Sequence, residues 1–322
     1  MVSFPHSSPS MPVTHKSTKL SEHFKEDSPS PSTSGNSTTS IIGSPSTCVT
    51  SAPTEGNQKW NSMDKLDDFL EDNHKTDSYS FRVTKPVPRE IICRCRVVLV
   101  NKFHIVLTSE TGRFILSASR RHKSRSSYYA ITGDPGGYTG IDNPLYIGKL
   151  RSNFVGSEYR LFSPGSNPSK TTIPPFRSEL LAIRYRNKLI HQSSKKGPRR
   201  MTVCMRSIDN SISTYSSEDL MNATRTISIP EPHTGIESFR NVDPQWNVSA
   251  NAYILPFPSD RVKISSVKNL ILSQAFSDPG SFVLVFGKCE KSMFALDFGF
   301  PFSPLQAFAV ALSSLDFKLC SQ

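Results

Sequence analysis

Residues 302–319, FSPLQAFAVALSSLDFKL, constrain this chain more than any other stretch. Between Leu305 and Leu312 only Gln306 is polar. A helix lying on a protein surface keeps a polar face, whereas one that is apolar all round needs burial or lipid. Crossing a bilayer takes roughly 20 apolar residues, and this run is too short. It therefore predicts a helix enclosed by the rest of the fold, with Pro304 in its first turn.

The enclosure is legible upstream. From about residue 88 the sequence turns to short β-branched runs separated by turn residues: EIICRCRVVLV, KFHIVLT, RFILSAS, YYAIT, LYIGKL, EYRLF, LLAIRYR, RMTVCM, NAYILPF, NLILS, SFVLVFG and MFALDF. About twelve strands without alternating long helices predict an all-β barrel or sandwich rather than a doubly wound sheet. About eight strands already suffice to pack a barrel lumen with side chains. Twelve closed on themselves leave a wider interior, and the terminal helix fits it. Ala307, Ala309 and Ala311 let it approach the wall, while Leu305, Phe308, Val310 and Leu312 fill the layers. The expected class is α+β: a closed, mainly antiparallel barrel threaded by a buried C-terminal helix. The polar stretch 207–245 interrupts the strand pattern and predicts a short helix near SSEDLMNA.

Three segments follow from composition. Residues 1–58 are rich in Ser, Thr and Pro and poor in aromatics, so they cannot bury enough apolar surface to order and read as a disordered leader. Residues 59–80 are acidic, with Trp60, Met63, Leu66 and Leu70 at helical spacing, and read as a linker or a flap folded onto the next domain. Residues 81–322 form the barrel domain. Cysteines at 48, 93, 95, 204, 289 and 320 include no CxxC pair, and the first residues lack an apolar signal core. Both features predict reduced thiols in a cytoplasmic or nuclear protein.

Charge is distributed unequally. Residues 1–80 carry 6 Lys and 10 acids, whereas 113–206 hold 18 Lys and Arg against Asp134, Asp142, Glu158 and Glu179. Such a local excess suggests an anionic partner. Lys149 and Arg151 lie two apart on a strand, hence on one face and roughly 7 Å apart. That spacing suits two phosphates on one ring, although alternating cations also simply solvate an open strand face. Arg120, Arg121, Lys123 and Arg125 form a second cluster, which fits an anionic leaflet, a nuclear-localisation signal or a solvated loop. SSKKGPRR at 193–200 is either another membrane-facing loop or a charged hairpin tip. No GxSxG, P-loop, HExxH or zinc-spaced Cys/His set occurs, so no enzyme, cofactor or metal is expected. His104 reads as a strand residue, and Asp297 as a turn anchor or partner of a cation.

YIGKLRSNF (146–154), GPRRMTV (197–203), SVKNLIL (266–272), VFG (285–287) and SPLQAFAVALSSLDFKL (303–319) resemble the tubby C-terminal domain family. The resemblance implies a twelve-stranded barrel around a hydrophobic helix, binding plasma-membrane phosphoinositides, chiefly phosphatidylinositol 4,5-bisphosphate. It places the headgroup at Lys149 and Arg151, with Arg177 from FRSELLAI completing the pocket. It also implies a monomeric membrane adaptor, peripheral on the inner leaflet or cilium, that serves trafficking of membrane-protein cargo. A nuclear DNA-binding factor using the same basic face is the alternative, and a scaffold that has lost lipid binding is a third reading. Two departures stand out: a family Asn falls on Tyr128, and the loop DPGGYTGID at 134–142 lacks the family's Arg.

Overall fold

The computed structural model describes residues 79–121, 125–138, 140, 143–186, 199–208, 220–226, 235–249, 251–275 and 281–316. The leader, the acidic segment around Trp60 and Lys123 lie outside them. Twelve antiparallel strands close into a barrel. In chain order they begin with β1 (Ile92–Leu99), β2 (His104–Ser109), β3 (Phe114–Arg120), β4 (Tyr128–Thr132), β5 (Tyr146–Ser152) and β6 (Glu158–Phe162). Then come β7 (Glu179–Arg186), β8 (Arg200–Arg206) and β9 (Ile236–Asn241). A separate hairpin, β10 (Gln245–Asn247) and β11 (Ala252–Ile254), precedes β12 (Leu270–Gln274), β13 (Phe282–Glu290) and β14 (Met293–Gly299). Each barrel strand pairs with its sequence neighbour, except that β9 pairs with β12 across the excluded hairpin and β14 closes on β1. The helices among the described residues are α1 (Tyr79–Thr84), α2 (Leu220–Thr226) and α3 (Pro304–Leu315).

The count of twelve agrees with the sequence expectation, but its membership differs. NAYILPF supplies β11, which pairs only with β10 outside the barrel. The missing barrel strand is β9, IESFRN, within the stretch read as a polar interruption. Of its residues only Phe239 is buried, so period-2 alternation carries almost no hydrophobic signal there. The helix expected near 216–223 is α2, starting at Leu220.

The enclosed helix is α3. Leu305, Ala307, Phe308, Ala309, Val310, Ala311 and Leu312 are all fully buried, in one core with inward residues of the strands. Its N-terminus is a capping box: the Ser303 side chain accepts from the Gln306 amide, and the Gln306 side chain accepts from the Ser303 amide. Gln306 also donates from Nε2 to the Leu180 carbonyl at 3.1 Å, so the one polar residue of the run is satisfied by the wall.

The C-terminal end is held by cations and hydroxyls, as the negative end of a helix dipole favours. Lys268 Nζ donates to the carbonyls of Ser314 at 3.1 Å, Leu315 at 3.5 Å and Asp316 at 3.4 Å. Buried Asp316 accepts from Tyr129 at 3.2 Å and Tyr159 at 2.9 Å, and Arg120 lies 3.5 Å from it. Arg199 donates to the Ser314 hydroxyl at 2.8 Å, and the Tyr185 and Ser313 hydroxyls meet at 2.8 Å.

Burial, reinforced by Arg199 and opposed by Asp316, pushes the Lys268 ammonium down to about 8 from 10.5. The unfolded chain therefore binds more protons between those values, and this group makes stability rise with pH across that window. Chemical denaturation from about pH 8 to pH 10 is expected to show this rise in the parent chain and to lose it in Lys268→Met. An unchanged slope in the variant would assign the rise to other groups.

A second layer covers part of the outer wall. Leu255, Phe257 and Val262 pack on Ile92, Ile271, Val285 and Ala295. Arg261 is paired with both Asp297 and Glu110, and Arg96 reaches Glu110 at 2.6 Å. Asp297 thus partners a cation, one of the two roles expected for it. Val262 approaches so closely that a Cβ on Gly287 would stand 2.5 Å from its methyls. Gly287→Ala is therefore expected to cost about 1–3 kcal/mol by overpacking, read as a lowered denaturation midpoint. Cys93, Cys95 and Cys204 are buried, and Cys289 is half-buried.

Candidate anion-binding site

The site lies on the outer wall of β4, β5 and β6 and on the loop that follows β6. Leu150 and Ser152 of β5 turn inward while Lys149 and Arg151 turn outward, because the barrel alternates core and solvent faces. Register places Tyr128 of β4 opposite Arg151, and Arg160 and Phe162 of β6 opposite Arg151 and Lys149. Arg177 arrives just before β7, its guanidinium 4.2 Å from the Phe162 ring centroid. Burial first, then the nearby charges of Arg177 and Arg151, hold the Lys149 ammonium below its usual value. Burial and Arg151 do the same to Arg177. Lys149, Arg151 and Arg177, dispersed over 29 residues of sequence, thus form one electrostatic cluster.

Arg160 belongs to the same cluster and was missed by sequence reasoning. It faces Arg151 directly across the ladder and lies 3.6 Å from Glu179. Like charges directly opposite in a sheet are destabilising, and Glu179 offsets this pair from the Arg160 side. Its signal was present: EYRLF alternates, and pairing it as a hairpin with YIGKLRS sets Arg160 beside Arg151.

The second predicted cluster is divided by the fold. Arg120, expected on the supporting basic surface, ends β3 with its side chain at Asp316, beneath the C-terminus of α3. It serves the core rather than the open wall, because Arg120 and its register partner Tyr129 share a face directed at that carboxylate. Arg121 points the other way, 5.3 Å from the Tyr128 ring and 5.5 Å from the Tyr138 ring. The opposite side of the cluster contributes Arg151, 5.8 Å from Tyr128. Tyr128, where the family has Asn, therefore links Arg121 to Arg151 through cation–π contacts. Arg125 is exposed in the β3–β4 loop, and Lys123 falls outside the described residues.

GPRR also splits. Arg199 turns to α3, whereas Arg200 lines a separate surface groove of about 460 Å³ with Arg186 and Arg240. Arg200 there meets Asp243 at 3.2 Å. The altered 134–142 loop returns to the wall through Ser119, whose hydroxyl accepts from the Tyr138 amide at 3.0 Å. Among the described residues no cluster of His, Cys, Asp and Glu fits a metal ion, and no helix is long and apolar enough to cross a membrane.

Comparison with known proteins places this geometry in context. The model of the Tub family matches residues 83–317. Tubby-related protein 1 of Homo sapiens is 33% identical over 256 residues, covering 74% of this chain and 46% of that protein. Tubby-related protein 3 of Mus musculus is 29% identical over 289 residues, covering 83% and 58%. Protein king tubby of Drosophila persimilis is 30% identical over 256 residues, covering 74% and 53%. The chain spans about half the length of the relatives it matches. Because the matched region takes in all barrel strands and the helix they enclose, the chain belongs to the Tub family.

Proposed function

We propose that this chain binds phosphoinositide headgroups, chiefly that of phosphatidylinositol 4,5-bisphosphate, and docks reversibly on an anionic leaflet as an adaptor for membrane-protein trafficking. The observation that carries the reading is the convergence of Lys149, Arg151, Arg160 and Arg177 on one outer face, with Arg151 and Arg160 in direct opposition. Arginine offers planar forks to phosphate oxygens and lysine a mobile point charge. Lys149 and Arg151 grip the two ring phosphates, Arg177 closes the pocket, and Arg121 and Arg125 add attraction to the leaflet. The division into a leader at 1–58, an acidic segment at 59–80 and a barrel at 81–322 belongs to the same reading. So does location at the plasma membrane or cilium.

A second reading has its own support. The groove with Arg186, Arg200 and Arg240 extends basic surface to β7, β8 and β9, which suits an extended polyanion such as duplex DNA in a nucleus. Cosedimentation with vesicles, with and without the bisphosphorylated lipid and in the presence of duplex competitor, separates the two. The lipid reading expects capture that depends on this lipid and resists the duplex. Capture of duplex alone would replace it with the nuclear reading, and capture of neither would leave a scaffold.

A further inference from the structure

The loop between β6 and β7 carries an exposed apolar tip beside the cationic cluster. Residues 172–176, TIPPF, are all exposed, with Ile173 at 71% and Phe176 at 44%. Arg177 follows immediately and folds back onto Phe162. Residues 163–178 contain no acid, and Lys170 adds a further cation.

The backbone of this loop is tied at its base. Arg177 donates its amide to the Ser166 carbonyl at 3.0 Å, and Ser166 donates to that of Pro175 at 2.9 Å. Ser163 and Ser178 close the neck at 3.0 Å. Gly165 makes the close approach possible: its φ of 118° belongs to the left-handed side, and a Cβ there would stand 2.7 Å from the Arg177 amide. The apolar side chains are therefore held outward by a built scaffold, and their ordering cost is met before any partner arrives.

We infer that Ile173 and Phe176 insert into the interfacial layer of an anionic bilayer while the adjacent Arg177 and Lys149 hold a phosphorylated headgroup. This rests on the headgroup reading above and adds a hydrophobic component to it. Exposed apolar side chains rimmed by cations are what a surface with an anionic polar layer over an apolar interior accommodates. A purely electrostatic contact needs no such side chains. An acidic protein partner would match the cations but leave the apolar tip without a complement.

The test compares the full-length parent chain with Ile173→Ser/Phe176→Ser and with Lys149→Ala/Arg151→Ala. Each is titrated against vesicles containing phosphatidylinositol 4,5-bisphosphate and against its soluble headgroup. Insertion expects the loop variant to lose about tenfold in vesicle affinity, from the apolar area it no longer buries, with soluble-headgroup affinity unchanged. Phe176→Trp is further expected to be quenched by lipids brominated on their acyl chains, above the background from Trp60 and Trp246. Unchanged vesicle affinity in the loop variant, with the parent binding normally, overturns insertion and leaves the headgroup reading intact. Loss of soluble-headgroup affinity in that variant overturns it too, since the effect then lies in the pocket. A parent chain that binds neither vesicles nor headgroup removes both readings together.

Discussion

Phe308→Ala is expected to lower the unfolding free energy by about 3–5 kcal/mol, a large share of the 5–15 kcal/mol typical of a whole domain. Phe308 is fully buried in α3, within a core formed with inward residues from both sides of the barrel. Truncation loses the transfer energy of the ring and leaves a cavity that a closed wall cannot readily collapse to fill. Ordinary surface helices tolerate such a change by repacking against solvent, but α3 has no solvent face. Val248, 84% exposed, supplies the contrast, since Val248→Ala is expected to stay within about 0.5 kcal/mol. Urea denaturation of both variants measures the difference. Equal midpoints would mean that the helix is not the core of this domain. α3 follows every barrel strand in chain order, which gives the same residues a kinetic role. The wall cannot bury its inward face until the segment after β14 has arrived, so a truncation before Ser303 is expected to leave no cooperatively folded barrel.

Lys149→Ala combined with Arg151→Ala is expected to weaken capture of phosphatidylinositol 4,5-bisphosphate vesicles by about a hundredfold or more, near 3 kcal/mol for two charge-assisted contacts. Both side chains leave the outer face of β5 while Leu150 and Ser152 keep its inner packing, so the fold survives the double change. Removing Arg151 also relieves the repulsion that, after burial, lowers the Arg177 protonation equilibrium. Stability is accordingly expected to hold or rise slightly while binding falls, a combination that misfolding would not produce. Retained vesicle capture at unchanged affinity would move the headgroup elsewhere on the molecule.

How much of this was legible in the sequence depends on how each feature is encoded. The enclosed helix was readable because an all-apolar face is a local property of one short run. The strands with buried alternation, such as β1 and β2, were readable for the same reason. β9 was not, since only Phe239 marks its inward face and the rest of IESFRN is half-exposed beside the β7–β8 wall. The hairpin at 245–254 misled because NAYILPF has strand composition, and its placement outside the barrel is decided by pairing rather than by propensity. In the site, Lys149 and Arg151 could be read from i, i+2 spacing alone, whereas Arg177 entered only through family resemblance. The divergence of Arg120 from Arg121 could not be read from a run of basic residues. Adjacent positions on a strand end face opposite sides, and which side meets Asp316 depends on where α3 terminates. Arg199 and Arg200 part in the same way, one to the helix end and one to the outer groove. Basic clusters thus name a region of charge, and the barrel sorts its members into core clamps and surface contacts.

The most direct measurement is a crystal structure of this chain with the soluble headgroup of phosphatidylinositol 4,5-bisphosphate. The account expects ring phosphates within hydrogen-bond reach of Lys149, Arg151 and Arg177 on the outer wall, with α3 enclosed behind them. A headgroup seated instead among Arg186, Arg200 and Arg240, or a helix 304–315 lying outside the strands, would contradict it.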